Sequence, residues 1–202
     1  MVSIIDVALH LDKYLGMILT TYGGFIYLIL FLIVFFETGL VLTPFLPGDS
    51  LIFIAGIFAG GGLLNVFLLF VIFCSAAIIG DTVNYWLGGY FGKKFFAKHI
   101  NPKYVEKTEH FYQEYGAKTI VIARFIPVVR TIAPFLAGVS KMDYNKFILY
   151  NIMGAVSWVA IFLFGGYFLG SVPFVKDHLS IIVAVLIVIT SLPPVIGYLR
   201  KK

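Results

Sequence analysis

The sequence predicts an all-α polytopic membrane protein. It has about four transmembrane helices and two re-entrant hairpins entering from opposite faces as an inverted repeat, with an interfacial helix before them. Three observations carry this prediction. Apolar residues make up 60% of the 202 and charged residues 12%, with a mean hydropathy of +0.99; soluble domains run nearer half apolar and a quarter charged. Apolar runs long enough to cross a bilayer recur along the chain. Most basic residues lie in short connections between those runs, as the positive-inside rule requires.

The opening 22 residues, MVSIIDVALHLDKYLGMILTTY, lack a basic leader and carry Asp6, Asp12 and Lys13 within the apolar run, so a cleavable signal peptide is not expected. Ile4, Ala8, Leu11, Leu15 and Ile18 recur at helical spacing, which reads as an interfacial amphipathic helix over 1–22. A solvated helix with one packing face is the alternative.

Gly24 to Thr43 is the first predicted span. The next piece, 44–64, is broken by Pro44, Pro47 and Gly48 and closes on Gly60-Gly61-Gly62. Proline removes a helical donor and glycine permits a sharp turn, so a re-entrant hairpin is expected rather than a straight span. Asn65 to Phe91 is a second span, although it contains Gly80, Asp81 and Asn84.

Lys93 to Lys118 holds six lysines and three glutamates and reads as a cytoplasmic loop. A short helix is expected to start at Asn101-Pro102 and stop at Gly116. Its less polar face carries Tyr104, Val105, Thr108, Phe111, Tyr112 and Tyr115. The stretch 119–140 contains ARFIPVVRTIAPFLAG, with Pro127, Pro134 and Gly138, and reads as the second hairpin, its prolines making the turn. Phe147 to Gly170 and Leu179 to Leu199 complete the spans. Both termini are then cytoplasmic and the hairpins enter from opposite sides. The whole chain, 1–202, forms one domain.

A weak internal repeat agrees with that topology. Phe45-Leu46-Pro47 matches Phe125-Ile126-Pro127, Asn65 and Phe67 match Asn145 and Phe147, and Gly88-Gly89-Tyr90-Phe91 matches Gly165-Gly166-Tyr167-Phe168. Paired broken segments in two halves mark the substrate site of many transporters.

Five ionisable residues fall inside apolar pieces: Glu37, Asp49, Asp81, Arg124 and Arg130. Each costs roughly 2.5–3.5 kcal/mol at the centre of an inserted helix. Together, unpaired, they would exceed a net stability of about 5–15 kcal/mol, so they must pair, protonate or face water. A structural ion-pair cluster pinning the hairpins is one reading, and a substrate site is the other. Asp81 could instead lie close enough to the cytoplasmic face to be hydrated.

These residues and their order resemble the DedA membrane protein family, part of a superfamily sharing the VTT domain, with vacuole-membrane and scramblase relatives. The resemblance runs from about Tyr22 to Phe168. It rests on E-T-G at Glu37, P-G-D at Pro47 to Asp49, and G-D-x-x-x-Y at Gly80 to Tyr85 with Gly88 and Gly92 following. R-F-x-P-x-x-R at Arg124 to Arg130 and N-x-x-G-x-x-x-W at Asn151, Gly154 and Trp158 complete it. It implies opposed re-entrant hairpins, a role in envelope lipid homeostasis and a link to the proton gradient. It also implies that Glu37, Asp49, Arg124 and Arg130 are the functional acidic and basic pairs. Some members are similar to undecaprenyl-phosphate carriers and others to phospholipid flippases.

Arginine's rigid fork of donors suits phosphate oxygens. Arg124 and Arg130 are therefore the expected phosphate-binding residues, with Glu37, Asp49 and Asp81 the carboxylates for proton or cation coupling. A lipid phosphate taking the arginines would leave a carboxylate in low dielectric without its partner, which favours proton uptake; sodium coupling could use the same groups. The expected function is a proton- or sodium-coupled transporter or flippase of a lipid phosphate in the bacterial cell membrane, undecaprenyl phosphate foremost. Glycerophospholipid flipping or scrambling, a membrane-bound lipid phosphatase, and an insertase-like role are the alternatives.

No enzyme is expected, since His10, His99, His110 and His178 all fall in termini or loops. The sequence has no Cys/His cluster for a metal and no phosphate-cradling G-x-x-x-x-G-K-[ST], so no cofactor is expected; the single Cys74 excludes an internal disulfide. The charge of +5 is spread in a way that argues against nucleic acid as a partner. Homo-oligomerisation stays open. Trp86 and Trp158 read as interfacial anchors or packing residues, and the GGYF pairs as sites of close helix approach.

Overall fold

The structure is a computed structural model, and it describes residues 23–39, 48–99 and 102–177. The predicted interfacial helix at 1–22, Pro44 and Pro47, and the last predicted span lie outside the described residues. Among the described residues every regular element is helical. In chain order these are α1 (Phe25–Gly39), α2 (Gly48–Gly60), α3 (Val66–His99), α4 (Pro102–Tyr115), a 3-10 turn (Gly116–Lys118), α5 (Thr119–Ala123), α6 (Pro127–Val139), α7 (Tyr144–Ser171) and α8 (Pro173–Asp177).

Among the described residues, two stretches are long and apolar enough to cross a bilayer: Val66–Tyr90, 25 residues, and Tyr144–Ser171, 28 residues. At about 1.5 Å per residue each exceeds a hydrocarbon core of about 30 Å. Both helices open on a side-chain cap. Asn65 Oδ1 accepts the Leu68 N–H at 3.0 Å, and Asp143 Oδ1 accepts the Lys146 N–H at 3.0 Å.

Polarity in these helices is the reverse of a soluble fold. Helix α3 exposes Phe67, Val71, Ile79 and Trp86 while burying Asp81 and Asn84; α7 exposes Leu149, Met153, Ile161 and Phe168 while burying Asn151. Helix α1 likewise exposes Phe25, Leu28 and Phe36 and buries Glu37 and Thr38. Apolar side chains facing outward with polar ones inside is what a hydrocarbon solvent selects.

The chain divides into two compact units: Met1–Leu30, Pro47–Val71 and Ala160–Lys202 form one, Phe31–Leu46 and Ile72–Val159 the other. In the first, α2 lies against the last turns of α7. A Cβ on Gly56 or Gly60 would collide with the Leu163 or Tyr167 carbonyl, and one on Gly166 or Gly170 with the Phe53 or Ile57 carbonyl. Ile57, Phe58 and Val175 fill the core beside it. In the second unit α6 meets α3 by the same device, Gly88 against the Phe135 carbonyl and Gly138 against that of Tyr85. Tyr85, Ile120, Ala123, Val129, Ala133, Ala137 and Phe147 form its apolar core. Small residues that let backbones touch replace the hydrophobic drive that lipid cannot supply.

Three expectations need correction. Within 93–118 the expected short helix is present as α4, but the stretch before it is helix rather than loop: α3 continues to His99, because nothing between Gly92 and Asn101-Pro102 breaks a helix. Pro134 does not make a turn. It lies inside α6, and the chain turns earlier, over Arg124 to Ile126, with Pro127 opening the new helix. Ile126 is extended at φ −119° and ψ 106°, as the residue before a proline must be. Gly138 is helical too, and serves close packing on Tyr85 and Gly89 rather than the turn.

Candidate functional site

The site lies wholly within the second unit and draws on five helices. Arg124 is the residue that ends α5, and Arg130 stands in the first turn of α6, so the break between them aims two arginines that regular helix would separate. Arg124 is 2% exposed and Arg130 5%. Each meets a carboxylate through Nη2: Arg124 with Asp81 of α3, Arg130 with Glu37 of α1. Two buried guanidiniums thus face two buried carboxylates, the pairing that buried charge demands.

Helix α7 supplies the third wall. Asn151 Oδ1 accepts from Arg124 Nη2 at 2.5 Å, while its Nδ2 donates to the Ile78 carbonyl at 3.1 Å. Gly154, one turn on, leaves room for the Arg124 stem. Trp158, fully buried, brings its ring to 5.9 Å from Arg124 Cζ and 5.0 Å from Arg130 Cζ, both within cation–π range. On α3, Asn84 donates to the Thr131 carbonyl at 2.7 Å and to the Thr38 carbonyl at 3.4 Å, joining α6 to α1.

Arg124 keeps unused donors. Its Nε and Nη1 are buried and have no hydrogen-bond partner among the described residues, while Nη2 serves both Asp81 and Asn151. The Nε–H and Nη1–H leave the guanidinium on different edges, so each can donate to an oxyanion oxygen, but the two do not form one fork.

Helix α4 braces the site from outside. Thr108 is fully buried, and the Tyr112 hydroxyl donates to the Ala133 carbonyl of α6 at 2.9 Å. Burial, then the negative charge of Asp81, push the Tyr112 phenol above its ordinary value. A cleft of about 490 Å³ between α4 and the end of α6 is lined by Glu109, Tyr112, Gln113, Leu136, Val139 and Ser140.

Of the residues singled out in the sequence, Glu37, Asp81, Arg124 and Arg130 come together here. Asp81, for which a hydrated interfacial position was open, is 1% exposed and ion-paired. Asp49 belongs to the first unit, in the first turn of α2, where a carboxylate suits the helix dipole. Sequence reasoning missed Trp158 as a site residue by treating it like Trp86, which is 51% exposed. The signal was present: Asn151, Gly154 and Trp158 stand at i, i+3 and i+7, one face of a helix. Asn84, three residues after Asp81, carries the same signal.

Residues 46–168, more than half of the chain, match the family model described as the VTT domain. The chain is 48% identical over 205 residues to protein DedA of Escherichia coli K12, an alignment covering 98% of this chain and 94% of that protein. It is 38% identical over 179 residues to a membrane protein of Mycobacterium tuberculosis H37Rv, covering 84% and 77%. To the inner membrane protein YqjA of Escherichia coli K12 it is 34% identical over 154 residues, covering 74% and 70%. No solved structure matches the chain significantly.

Proposed function

The chain belongs to the DedA family of VTT-domain membrane proteins, and from that premise we propose that it carries a lipid phosphate across the bacterial cell membrane. Undecaprenyl phosphate is the cargo, and protons or sodium ions drive it. In this reading the protein is a carrier and not an enzyme. The segments 44–64 and 119–140 are two re-entrant hairpins of an inverted repeat. Both termini lie in the cytoplasm, on the side of the basic segment 93–118.

One observation carries the reading: Arg124 is buried, held in place by Asp81 and Asn151, and still has two N–H directions with no partner among the described residues. A structural ion pair has no use for desolvated spare donors, because each costs roughly 1–3 kcal/mol. A phosphate oxygen reaching either donor relieves part of that cost without breaking the Asp81 pair.

Charge balance supplies the coupling. The site's two arginines and two carboxylates are already neutral as pairs, so an arriving phosphate brings uncompensated negative charge into low dielectric. A proton or sodium ion on a carboxylate offsets it, with Glu37, beside Arg130, as the acceptor.

The test is leaflet exchange in liposomes of purified protein. Labelled undecaprenyl phosphate is compared with a labelled glycerophospholipid at two pH values, with released inorganic phosphate assayed in parallel and Arg130→Ala as control. Faster movement of the polyprenyl phosphate, dependent on a proton or sodium gradient and lost in Arg130→Ala, is expected. Phosphate release would sink the carrier reading in favour of a phosphatase. Equal movement of both lipids would make it a general scramblase.

A further inference from the structure

We propose that Trp158 is the positioning residue that makes the two arginines one anion receptor, its indole holding both guanidiniums within reach of a single phosphate. The proposal rests on the lipid-phosphate reading for the identity of the anion, and on geometry alone for the coupling.

Two like charges do not gather in a low-dielectric interior without a cause. Asp81 and Glu37 ion-pair with Arg124 and Arg130 respectively, from different helices, and the Asp81 charge also reaches Arg130, which offsets repulsion between the guanidiniums without seating both on one surface. Trp158 is the common element: a fully buried ring whose centroid is 5.9 Å from one Cζ and 5.0 Å from the other. An indole's negative face attracts a guanidinium most strongly when water is absent, and its breadth can serve more than one.

The α7 face is built to this end. Asn151 fixes the Arg124 head, Gly154 admits its stem, and Trp158 comes next along the same stripe. A phosphate oxygen bound at an unpartnered donor of Arg124 would then meet Arg130 across the same ring. Gripping by one arginine draws in the other, and removal of the ring leaves two separate weak sites.

The experiment uses Trp86→Phe protein, in which Trp158 is the sole tryptophan. Trp86 is exposed and packs on Tyr85 and Tyr144, away from the arginines. Without lipid, Trp158 emission is compared among this protein, its Arg124→Gln and Arg130→Gln derivatives, and the double variant. Each single change should alter the emission, and the double change should differ from their sum. Unchanged emission in either single variant, or strict additivity, overturns the proposal whatever the cargo proves to be.

A second arm measures retention of labelled phosphatidate and of labelled undecaprenyl phosphate by protein in phosphatidylcholine nanodiscs. Trp158→Phe, which keeps an aromatic face, should hold its lipid within about threefold of wild type, and Trp158→Leu should lose about tenfold or more. Losses that are equal in the two variants, or that follow their unfolding temperatures, mark a merely structural role and overturn the proposal. Coupled emission with no lipid retained supports Trp158 as the coupling residue and counts against the lipid-phosphate reading alone.

Discussion

Gly154 lies against Arg124 so closely that a Cβ on it would stand 2.9 Å from the arginine Cδ and 3.1 Å from Nε. The two closest contacts are with the side chain, and the Val121 Cα stands farther off at 3.3 Å, so the arginine would move first. Gly154→Ala should therefore displace the Arg124 head from Asp81 and Asn151. Overpacking of this kind costs about 1–3 kcal/mol. Leaflet-exchange rates should fall further than the unfolding temperature does, and a fall in stability with unchanged transport would refute the assignment.

Asn151 spans α5 and α3, accepting from Arg124 and donating to the Ile78 carbonyl. Asn151→Leu keeps the volume and removes both bonds. Leaving a buried donor or acceptor unpaired costs about 1–3 kcal/mol, and bonds to charged groups lie at the upper end. Thermal unfolding in detergent should report a loss of that size. Asn151→Asp should do less harm, since it can still accept from the guanidinium.

The Arg130–Glu37 pair is buried on both sides. Breaking such a pair by removing one partner costs about 3–5 kcal/mol, whereas replacing both with apolar residues is often near neutral. Glu37→Leu and Arg130→Met should each destabilise strongly, and the double variant should recover most of the loss. Transport should stay absent in all three. A double variant that still moves lipid phosphate would separate this pair from the function.

Tyr112 makes the α4 contact sensitive to alkali. Its folded phenol holds its proton above the ordinary value, through burial first and the Asp81 charge second. The stability it contributes is therefore complete below the unfolded value of about 10 and declines as the pH rises past it, because the unfolded phenol ionises first. Tyr112→Phe should remove this share of the alkaline decline and about 1 kcal/mol of stability at neutral pH. Unfolding curves at pH 8 and pH 11 measure both.

Much of the architecture was readable from the chain because bilayer solvent leaves a coarse imprint. Apolar runs gave the helices around Val66–Tyr90 and Tyr144–Ser171. Arg124, Arg130, Glu37 and Asp81 stood out because charge is rare in such runs. The partners of those charges were not readable. Spacing along α3 cannot tell whether Asp81 turns to water or to Arg124, since that depends on where the α5–α6 break places the guanidinium. Pro134 misled for a related reason: a proline signals a break only when neighbouring helices cannot support the chain past it. Trp158 was read as an anchor or packing residue because tryptophan is common at membrane surfaces, and burial against the arginines is a property of the packed molecule.

The proline inside α6 also bears on how this protein can change. Having no N–H, Pro134 cannot donate to the carbonyl of Arg130, four residues back. The stretch just beyond that arginine is held partly from elsewhere, by Asn84 on the Thr131 carbonyl and Tyr112 on that of Ala133. The position of the guanidinium is thus encoded partly in Asn84 of α3 and Tyr112 of α4. Substitutions at those two remote sites could retune a relative's grip while every charged residue stays the same.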